Sequence, residues 1–359
     1  MRMCEAFAAA GNEVILVYPI RKRGNEIGVS ADDVWDFYGV DTRFSLMPID
    51  MGAIGARHIF GLRSAKTALA ERADAVYGRF LPAVAWTARV GIPSVVELHQ
   101  PITGMTSNLY LSIVGYGDRL KGVVAITESL ADYLRINGLH RVPHGALRVD
   151  PDGAVICRRE NETARCEIRI RLGIPTGCFV AAYAGHLYAG RGIELIVELA
   201  ALNRDVCFII VGGEPEVVAR YREQTLKRRL RNIQWIGFVP PKEVPDYLVA
   251  SDVLLMPHQY KVEASGGGDI VRWMSPLKMF EYMAAGRPII ASDLPTLREI
   301  LREDLAVLCE PSAVEQWSSA LSAIRRNPSE YELMAGKAKR EVLQYSWTER
   351  ARRCLEMYR

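Results

Sequence analysis

The residue types best suited to chemistry fall in a segment that follows a run of glycines at 266–268. Ser275 is a favourable N-cap residue, Pro276 suits the first helical position, and Gly286 suits the residue that ends a helix. The spacing therefore predicts a helix of about three turns. Its free N-terminal amide groups and its dipole would favour an anion such as a diphosphate.

Two charged side chains lie on this predicted helix. Glu281 is about one and a half turns from the start, and its carboxylate could accept two hydrogen bonds from a vicinal diol such as that of a ribose. Lys278 precedes it at a spacing that also suits an ion pair on a helix surface. From physics alone, a capped structural helix with a Lys278–Glu281 surface pair is the better interpretation.

A second candidate site is the glycine-rich turn from Gly185 to Gly192, between a predicted strand and a predicted helix. Glycines such as Gly190 let a backbone approach a ligand closely. Arg191 stands at the predicted helix start, where its guanidinium could bind a phosphate in bidentate fashion. The alternative is an ordinary turn with an arginine on the surface.

His99 ends a predicted buried strand over residues 94–99. Functional groups of parallel sheets gather at the carboxyl ends of strands, and an imidazole there could take a proton or hold a sugar hydroxyl. A lone histidine is also common as a structural residue. His144, after another strand, has a similar but weaker claim. No role is predicted for His58, His140 and His258.

The sequence lacks the usual patterns of a metal site. No Asp-x-Asp pair stands at a predicted strand end, and no His/Cys cluster has the spacing of metal ligands. The seven cysteines contain no Cys-x-x-Cys pair, and we interpret them as reduced thiols that pack as small hydrophobic side chains. The prediction is a metal-independent mechanism with no bound cofactor.

Short runs of β-branched apolar residues alternate with helical patterns along the chain, which is typical of parallel α/β layers. Strands are predicted at 13–18, 44–49, 75–79, 94–99, 123–127, 180–184, 206–211, 233–236, 253–256 and 288–291. A charged, turn-rich segment near 150–161 indicates a linker. We therefore expect two doubly wound domains, with ligands bound at the carboxyl ends of their strands in a cleft between the domains.

Length and charge exclude several classes of protein. The 359 residues suit two domains of about 150 residues each. The formal net charge is +3 and neither half is strongly basic, which argues against nucleic acid as the main partner. No apolar run approaches the ~20 residues needed to cross a bilayer, and the first residues do not form a signal peptide. A cytoplasmic location is the prediction.

Four basic residues gather in one predicted helical stretch: Arg57, Arg63, Lys66 and Arg72. A solvated helix face is the favoured interpretation. The alternative is a weak contact with an anionic surface at the inner face of a membrane.

The segment SPLKMFEYMAAGRPIIASDLP at 275–295 resembles the donor-site signature of GT-B glycosyltransferases of family 4. Supporting segments follow in the family's order: MCEAFAAAGNEVILVYP at 3–19, GIPSVVELH at 91–99, GVVAITESLADYL at 122–134, AGHLYAGRGIELIVELA at 184–200, FIIVGGEP at 208–215, IQWIGFVP at 233–240, ASDVLLMP at 250–257 and YSWTERARRCLE at 345–356. The resemblance spans essentially the whole chain. It implies a GT-B fold, in which two Rossmann-like domains face each other across a cleft.

The resemblance also implies roles for the candidate donor-site residues. Glu281 matches the glutamate that holds the donor ribose, and Arg191 matches the basic residue that neutralises the diphosphate. Val239 falls where backbone groups meet the base. Leu277 and Lys278 fall at the amides beside the phosphates, next to Ser275.

On the other side of the predicted cleft, His99 matches the family's histidine near the transferred sugar. The family retains anomeric configuration and uses no metal. The implied function is transfer from a nucleoside-diphosphate sugar to a saccharide, lipid-linked or small-molecule acceptor.

Two positions depart from the family's pattern. Trp273 stands eight residues before Glu281, where the family often has a glutamate that contacts the donor sugar; Asp269 or Glu263 could substitute for it. His186 stands where some relatives carry an arginine, so phosphate binding would rest on Arg191 and backbone amides.

Other functions remain open. One is a GT-B-like sugar-nucleotide epimerase or hydrolase, which the chain resembles only in its two layered domains. Another is a non-catalytic GT-B module that binds a sugar nucleotide or acts as a partner subunit, which the absence of a glutamate at Trp273 favours. A nicotinamide enzyme fits poorly, because no Gly-x-Gly-x-x-Gly follows a strand with an acid about twenty residues further on.

The predicted domains are residues 1–155, residues 156–343 and a C-terminal helix in 344–359. Trp347, Ala351 and Leu355 share one face of that helix, which by resemblance returns to the first domain. Residues 1–10 predict a helix, and 13–18 a strand.

A doubly wound sheet has a central strand before its first helix, and by resemblance 3–19 is the first helix with the second strand. We expect the first sheet to lack that strand. The strands at 13–18 and 75–79 would then have no partner between them or would pair with each other. A start upstream of Met1 is the prediction, because an open central edge exposes backbone groups.

Overall fold

The computed structural model describes residues 1–20, 31–50, 56–103, 107, 109–112, 118–137, 145–156, 162–264 and 267–359. The chain divides into two compact units. Unit 1 consists of residues 1–151 and 347–359, and unit 2 consists of residues 152–346. All strand pairs described within the sheets are parallel. The predicted α/β class is therefore confirmed.

Unit 1 contains two parallel sheets among its described residues. Its helices are α1 (Arg2–Ala9), α2 (Ala31–Tyr38), α3 (Ala56–Ala70), α4 (Leu81–Arg89), α5 (Glu128–Asn137) and α14 (Trp347–Glu356). Its strands are β1 (Ile15–Ile20), β2 (Ser45–Asp50), β3 (Val76–Gly78), β4 (Ser94–Leu98), β5 (Leu120–Ala125) and β6 (Leu147–Val149). One sheet has the order β1-β2 and the other has the order β3-β4-β5-β6. Within the described ranges, β1 and β3 belong to different sheets, and no strand pairs with both of them.

The C-terminal helix α14 packs on the first helix of the chain. Met3, Ala6 and Phe7 form the buried face of α1, and they share a core cluster with Ala351 and Cys354 of α14. The predicted apolar face of α14 is confirmed, since Trp347 and Leu355 pack against the same cluster. This face lets the last helix of the chain complete the core of unit 1.

The strand β6 is not predicted by the sequence pattern. An Asp-Pro-Asp run at 150–152 follows this strand directly. The prediction that no Asp-x-Asp pair stands at a strand end is therefore wrong. The first aspartate of the run has a structural use: the Asp150 carboxylate lies 2.7 Å from a guanidinium nitrogen of Arg353.

Unit 2 contains one six-stranded parallel sheet. Its strands are β7 (Phe179–Ala184), β8 (Val206–Val211), β9 (Ile233–Gly237), β10 (Val253–Met256), β11 (Ile289–Ser292) and β12 (Val307–Cys309). Its helices are α6 (Glu162–Arg171), α7 (Ile193–Leu202), α8 (Pro215–Lys227), α9 (Val244–Ala250), α10 (Leu277–Ala285), α11 (Pro295–Arg298), α12 (Val314–Arg326), α13 (Pro328–Glu341) and a 3-10 helix (Val342–Tyr345). The strand order is β12-β11-β10-β7-β8-β9.

This order makes the β7–β10 boundary the topological switch point of the sheet. The chain starts at β7, adds β8 and β9 on one side, and then crosses over to add β10, β11 and β12 on the other. Loops that leave two neighbouring strands in opposite directions open a crevice at their carboxyl ends, and ligands of doubly wound sheets bind there. The fold therefore predicts a ligand site at the residues that follow Ala184 and Met256.

Both faces of this sheet are covered by apolar clusters. One contains Met279, Phe280 and Tyr282 of α10, and the other contains Trp317 and Leu321 of α12. No helix in the described ranges is both long and apolar enough to cross a membrane.

We expect Trp317→Ala to lower the free energy of unfolding by about 3–5 kcal/mol, because it removes the largest fully buried side chain of unit 2 and leaves a cavity. Leu333→Ala is the matched control, since Leu333 is 72% exposed and surface changes cost at most about 0.5 kcal/mol. Urea denaturation measures both. Equal losses in the two variants would contradict this packing.

Candidate functional site

Two loops leave the switch point of unit 2, and each carries a basic side chain. The loop after β7 contains Arg191, and the loop after β10 contains His258. A nitrogen of the Arg191 guanidinium lies 3.2 Å from Nε2 of His258. The strand order therefore brings together two residues that are 67 positions apart in the chain.

Glycine is required for the approach of these loops. Gly190 has a φ of +81°, and a Cβ there would lie 1.8 Å from the carbonyl oxygen of Lys261. Gly192 has a φ of +80°, and a Cβ there would lie 1.8 Å from the carbonyl oxygen of Pro257. The amide of Gln259 also donates to the carbonyl oxygen of Gly190 at 2.9 Å. The loop after β10 thus lies directly against the glycine turn and fixes the backbone beside Arg191.

The helix predicted between Ser275 and Gly286 is confirmed as α10, but its start differs in detail. Pro276 is the N-cap residue, and Leu277 is the first helical residue. The prediction that Ser275 caps the helix is wrong: its hydroxyl oxygen accepts a hydrogen bond from the amide of Asp152 at 3.3 Å. No side chain among the described residues caps α10, so its first-turn amides keep the anion-binding capacity of a helix N-terminus. Gly286 ends the helix with a φ of +64°.

The ammonium of Lys278 is buried rather than paired on the surface. Its ammonium lies 3.8 Å from the centre of the Tyr183 ring, and Nζ has no hydrogen-bond partner among the described residues. The space it uses depends on Gly185, where a Cβ would lie 2.5 Å from Nζ. The surface ion pair with Glu281 favoured by helix physics is therefore wrong.

The pKa shifts in this region share a direction. Burial, and then the charge of Arg191, lower the pKa of Lys278 well below its usual value, although Glu281 opposes the shift. Burial and the charges of Lys278 and Arg191 likewise lower the pKa of His258. Burial and the same two charges lower the pKa of His186. The three groups lose protons more readily chiefly because burial disfavours their charged forms, and the neighbouring positive charges add to this effect. An anion would relieve the second contribution.

His258 has a role that the sequence pattern did not predict. A guanidinium can only donate, so Nε2 of His258 accepts from Arg191 and the ring proton lies on Nδ1. Nδ1 has no partner among the described residues. Its place directly after a predicted strand was the available signal, the same one that selected His99.

The other predicted donor residues of unit 2 differ in exposure. Glu281 lies on the exposed side of the second turn of α10, and Leu277 is 44% exposed. Val239 follows β9 and is partly buried against the core. Gly190, Arg191 and Lys278 are the predicted residues that the structure brings together.

The position of the expected glutamate is filled by an aromatic residue with its own contact. The guanidinium of Arg272 lies 5.2 Å from the centre of the Trp273 ring. One suggested substitute has a structural use, since a carboxylate oxygen of Asp269 accepts from the amides of Val262 and Val271, each at 3.0 Å. Glu263 is exposed.

His99 lies in unit 1, directly after β4. Its Nε2 is 2.5 Å from Oε1 of the buried Glu97, and its side chain is 30% exposed. Its distance from the unit 2 residues stays a prediction, as does the cleft. His144 and Gly266 lie outside the described residues.

Comparison with known proteins finds one family model and several relatives that match parts of this chain. Residues 164–342 match the family described as Glycosyl transferases group 1, and this span includes Arg191, His258 and all of α10. The chain is similar to D-inositol 3-phosphate glycosyltransferase of Xylanimonas cellulosilytica, with 26% identity over 68% of this chain and 58% of the relative. It is also similar to 2-deoxystreptamine glucosyltransferase of Streptomyces kanamyceticus, with 28% identity over 61% of this chain and 55% of the relative. The chain thus spans little more than half the length of these curated relatives.

Solved structures resemble the whole chain. HepE of Anabaena in complex with UDP has a TM-score of 0.73 at 15% identity, covering 99% of this chain and 94% of HepE. Sucrose-phosphate synthase of Thermosynechococcus elongatus has a TM-score of 0.74 at 16% identity, covering 99% of this chain and 91% of the synthase. The fold is that of the GT-B glycosyltransferases. Unit 2 thus carries the match to a glycosyltransferase family, and both named relatives are glycosyltransferases.

We expect Lys278→Met to raise the free energy of unfolding of the ligand-free protein by about 1–3 kcal/mol near neutral pH, because it removes a buried donor without a partner. Burial lowers the pKa of Lys278 in the folded protein. The buried ammonium therefore destabilises the fold fully below that lowered pKa, and the destabilisation disappears as pH rises through the usual lysine value of 10.5. The gain should therefore shrink at about pH 10. Denaturation at both pH values, with exposed Lys227→Met as control, measures this. A destabilised Lys278→Met would contradict it.

Proposed function

We propose that this protein transfers a sugar from a nucleoside-diphosphate sugar to an acceptor hydroxyl, with retention of configuration and without a metal ion. The observation that carries the proposal is the buried ammonium of Lys278 beside the guanidinium of Arg191 at the switch point of unit 2. Buried cations are costly unless an anion joins them, and a diphosphate supplies two negative charges at the spacing of adjacent phosphates. UDP is the natural first ligand to try, since HepE was solved with it.

The chemistry of such a transfer needs charge neutralisation at the leaving group. As the bond between the sugar and the diphosphate breaks, negative charge grows on the diphosphate oxygen, and fixed positive groups stabilise it most when water is excluded. Arg191, Lys278 and the first-turn amides of α10 supply those groups in this proposal. Their combined charge supports a metal-independent reaction, and retention is what the resemblance implies.

The remaining predicted residues would hold the nucleoside. The exposed carboxylate of Glu281 would accept hydrogen bonds from the ribose diol. The backbone at Val239, after β9, would meet the base. His99 would orient the transferred sugar or the acceptor hydroxyl.

The acceptor is proposed only as a class: a saccharide, a lipid-linked sugar or a small molecule bearing a hydroxyl. Relatives named for D-inositol 3-phosphate and for 2-deoxystreptamine support an acceptor with several hydroxyl groups. A cytoplasmic site of action, with peripheral contact at the inner face of a membrane, belongs to the same proposal.

The decisive assay follows release of nucleoside diphosphate from UDP-, GDP-, ADP- and dTDP-sugars, with and without a panel of acceptors. Release that requires an acceptor supports a transferase. Release without any acceptor would indicate a hydrolase, and binding without release would indicate a non-catalytic module. Either of those two outcomes would overturn the proposal.

We expect Arg191→Ala to weaken the binding of both UDP and pyrophosphate by about 1.5–3 kcal/mol, because a charge-assisted hydrogen bond to phosphate is lost. Glu281→Gln should weaken the binding of UDP but leave pyrophosphate unaffected, because its partner is the ribose. Calorimetric titration measures all four affinities. Arg228→Ala is the control, since Arg228 pairs with Glu198 on the surface. The ribose role is wrong if Glu281→Gln binds UDP normally.

We expect His99→Ala to lower kcat by about a hundredfold or more while UDP affinity changes little, because the side chain serves the sugar and not the nucleotide. His58→Ala is the matched control in unit 1, where the His58 ring hydrogen-bonds Tyr110. Steady-state kinetics and UDP titration measure the two effects. Equal losses in turnover and nucleotide affinity would contradict the assignment.

A further inference from the structure

A fully buried carboxylate lies beside His99. Glu97 belongs to β4, whose residues are all buried, and its side chain is 0% exposed. Burial alone would raise the pKa of this carboxyl, but the hydrogen bond to His99 and the charge of Arg350 lower it overall. Glu97 is therefore an anion, and the interior of unit 1 must hold it with hydrogen-bond donors.

Three side chains that can carry positive charge lie beside the two oxygens of Glu97. On Oε2, a guanidinium nitrogen of Arg350 lies 2.8 Å away. On Oε1, Nε of Arg79 lies 2.7 Å away and Nε2 of His99 lies 2.5 Å away. The two arginines differ in environment, since the side chain of Arg350 is 1% exposed and that of Arg79 is 51% exposed.

Arg350 is itself fixed by unit 1. Its Nε donates to the carbonyl oxygen of Pro151 at 2.7 Å, and another nitrogen donates to that of Asp150 at 2.9 Å. A third contact reaches the Tyr77 hydroxyl at 3.3 Å. The Asp150 carboxylate lies 4.0 Å from Arg350 and is paired with Arg353. The carboxylate of Glu97 therefore has a fixed position, set by a residue of α14.

We propose that Glu97 is a positioning residue that holds His99 in one orientation and one tautomer. An ionised carboxylate can only accept, so the neutral imidazole keeps its proton on Nε2 and presents Nδ1 as the acceptor. Arg350 acts indirectly, because it fixes the position of the Glu97 carboxylate. A simple buried ion pair would not need His99, because Arg350 and Arg79 already engage both oxygens. Any effect of Glu97 on sugar transfer rests on the role proposed for His99. The tautomer of His99 can be tested without that role.

The test uses the full chain with nitrogen-15-labelled histidine, whose ring resonances distinguish the two tautomers. Spectra are recorded at about pH 8.5, where an ordinary imidazole is neutral, and His99→Asn assigns the signal. The wild type should show the Nε2–H form. In Glu97→Gln the single carbonyl oxygen should turn to the fully buried Arg350, and the amide NH2 should face His99. The Nδ1–H form should then dominate, because Nε2 must accept.

Two further variants keep the test decisive. Arg79→Ala removes the other donor on Oε1 and should leave the tautomer unchanged. Glu97→Asp retains the buried charge but withdraws the carboxylate by one methylene, so the Nδ1–H form should become detectable even if Glu97→Gln fails to fold. An unchanged tautomer in a folded Glu97→Gln or Glu97→Asp protein would overturn the proposal, as would an Nδ1–H form in the wild type.

Turnover provides the second readout. If the protein is a transferase, Glu97→Gln should lower kcat at least about tenfold with an unchanged KM for the donor. A tautomer that inverts in a protein without transferase activity would preserve this proposal and refute the proposed function. A lower kcat with no change of tautomer would do the opposite.

Discussion

Arg191 and Lys278 lie at the carboxyl end of one parallel sheet, where burial lowers the pKa of both side chains and the charge of Arg191 lowers that of Lys278 further. Nζ of Lys278 and Nε of Arg191 have no hydrogen-bond partner in the part of the chain that the structure describes. The rest of unit 2 accommodates this repulsion. The glycines remove side chains from the crowded turn, Tyr183 offers its ring face to the ammonium, and His258 stays neutral so that it can accept from Arg191.

Two buried positive charges in this arrangement make unit 2 less stable than apolar side chains at the same positions would. Functional sites often hold polar groups whose unfavourable energy is released only when a ligand arrives. The surrounding sheet can tolerate the cost because apolar clusters cover both of its faces. An anion at the switch point would remove the repulsion and supply the missing partners, so binding and stability should rise together.

Much of this could be predicted from sequence because local rules decide it. The alternation of apolar runs predicts the parallel sheets, and Ser275 to Gly286 predicts α10 within two residues. The burial of Lys278 could not be predicted, since a Lys–Glu spacing on an isolated helix also suits a surface pair. His258 and Glu97 were missed for a related reason: their roles depend on neighbours 67 or more positions away, Arg191 and Arg350. The order of the strands, and not any local pattern, creates those contacts.

The hydrogen bonds from Arg350 to the backbone of residues 150 and 151 have a consequence for folding during synthesis on the ribosome. Arg350 and Asp150 are 200 positions apart. At roughly 5–20 residues per second, translation separates them by about 10–40 s. During that interval all of unit 2 emerges, while Glu97 has been made without its buried counter-ion. Unit 1 should therefore finish folding last although it is made first, and a nascent chain stalled before α14 should remain a substrate for chaperones.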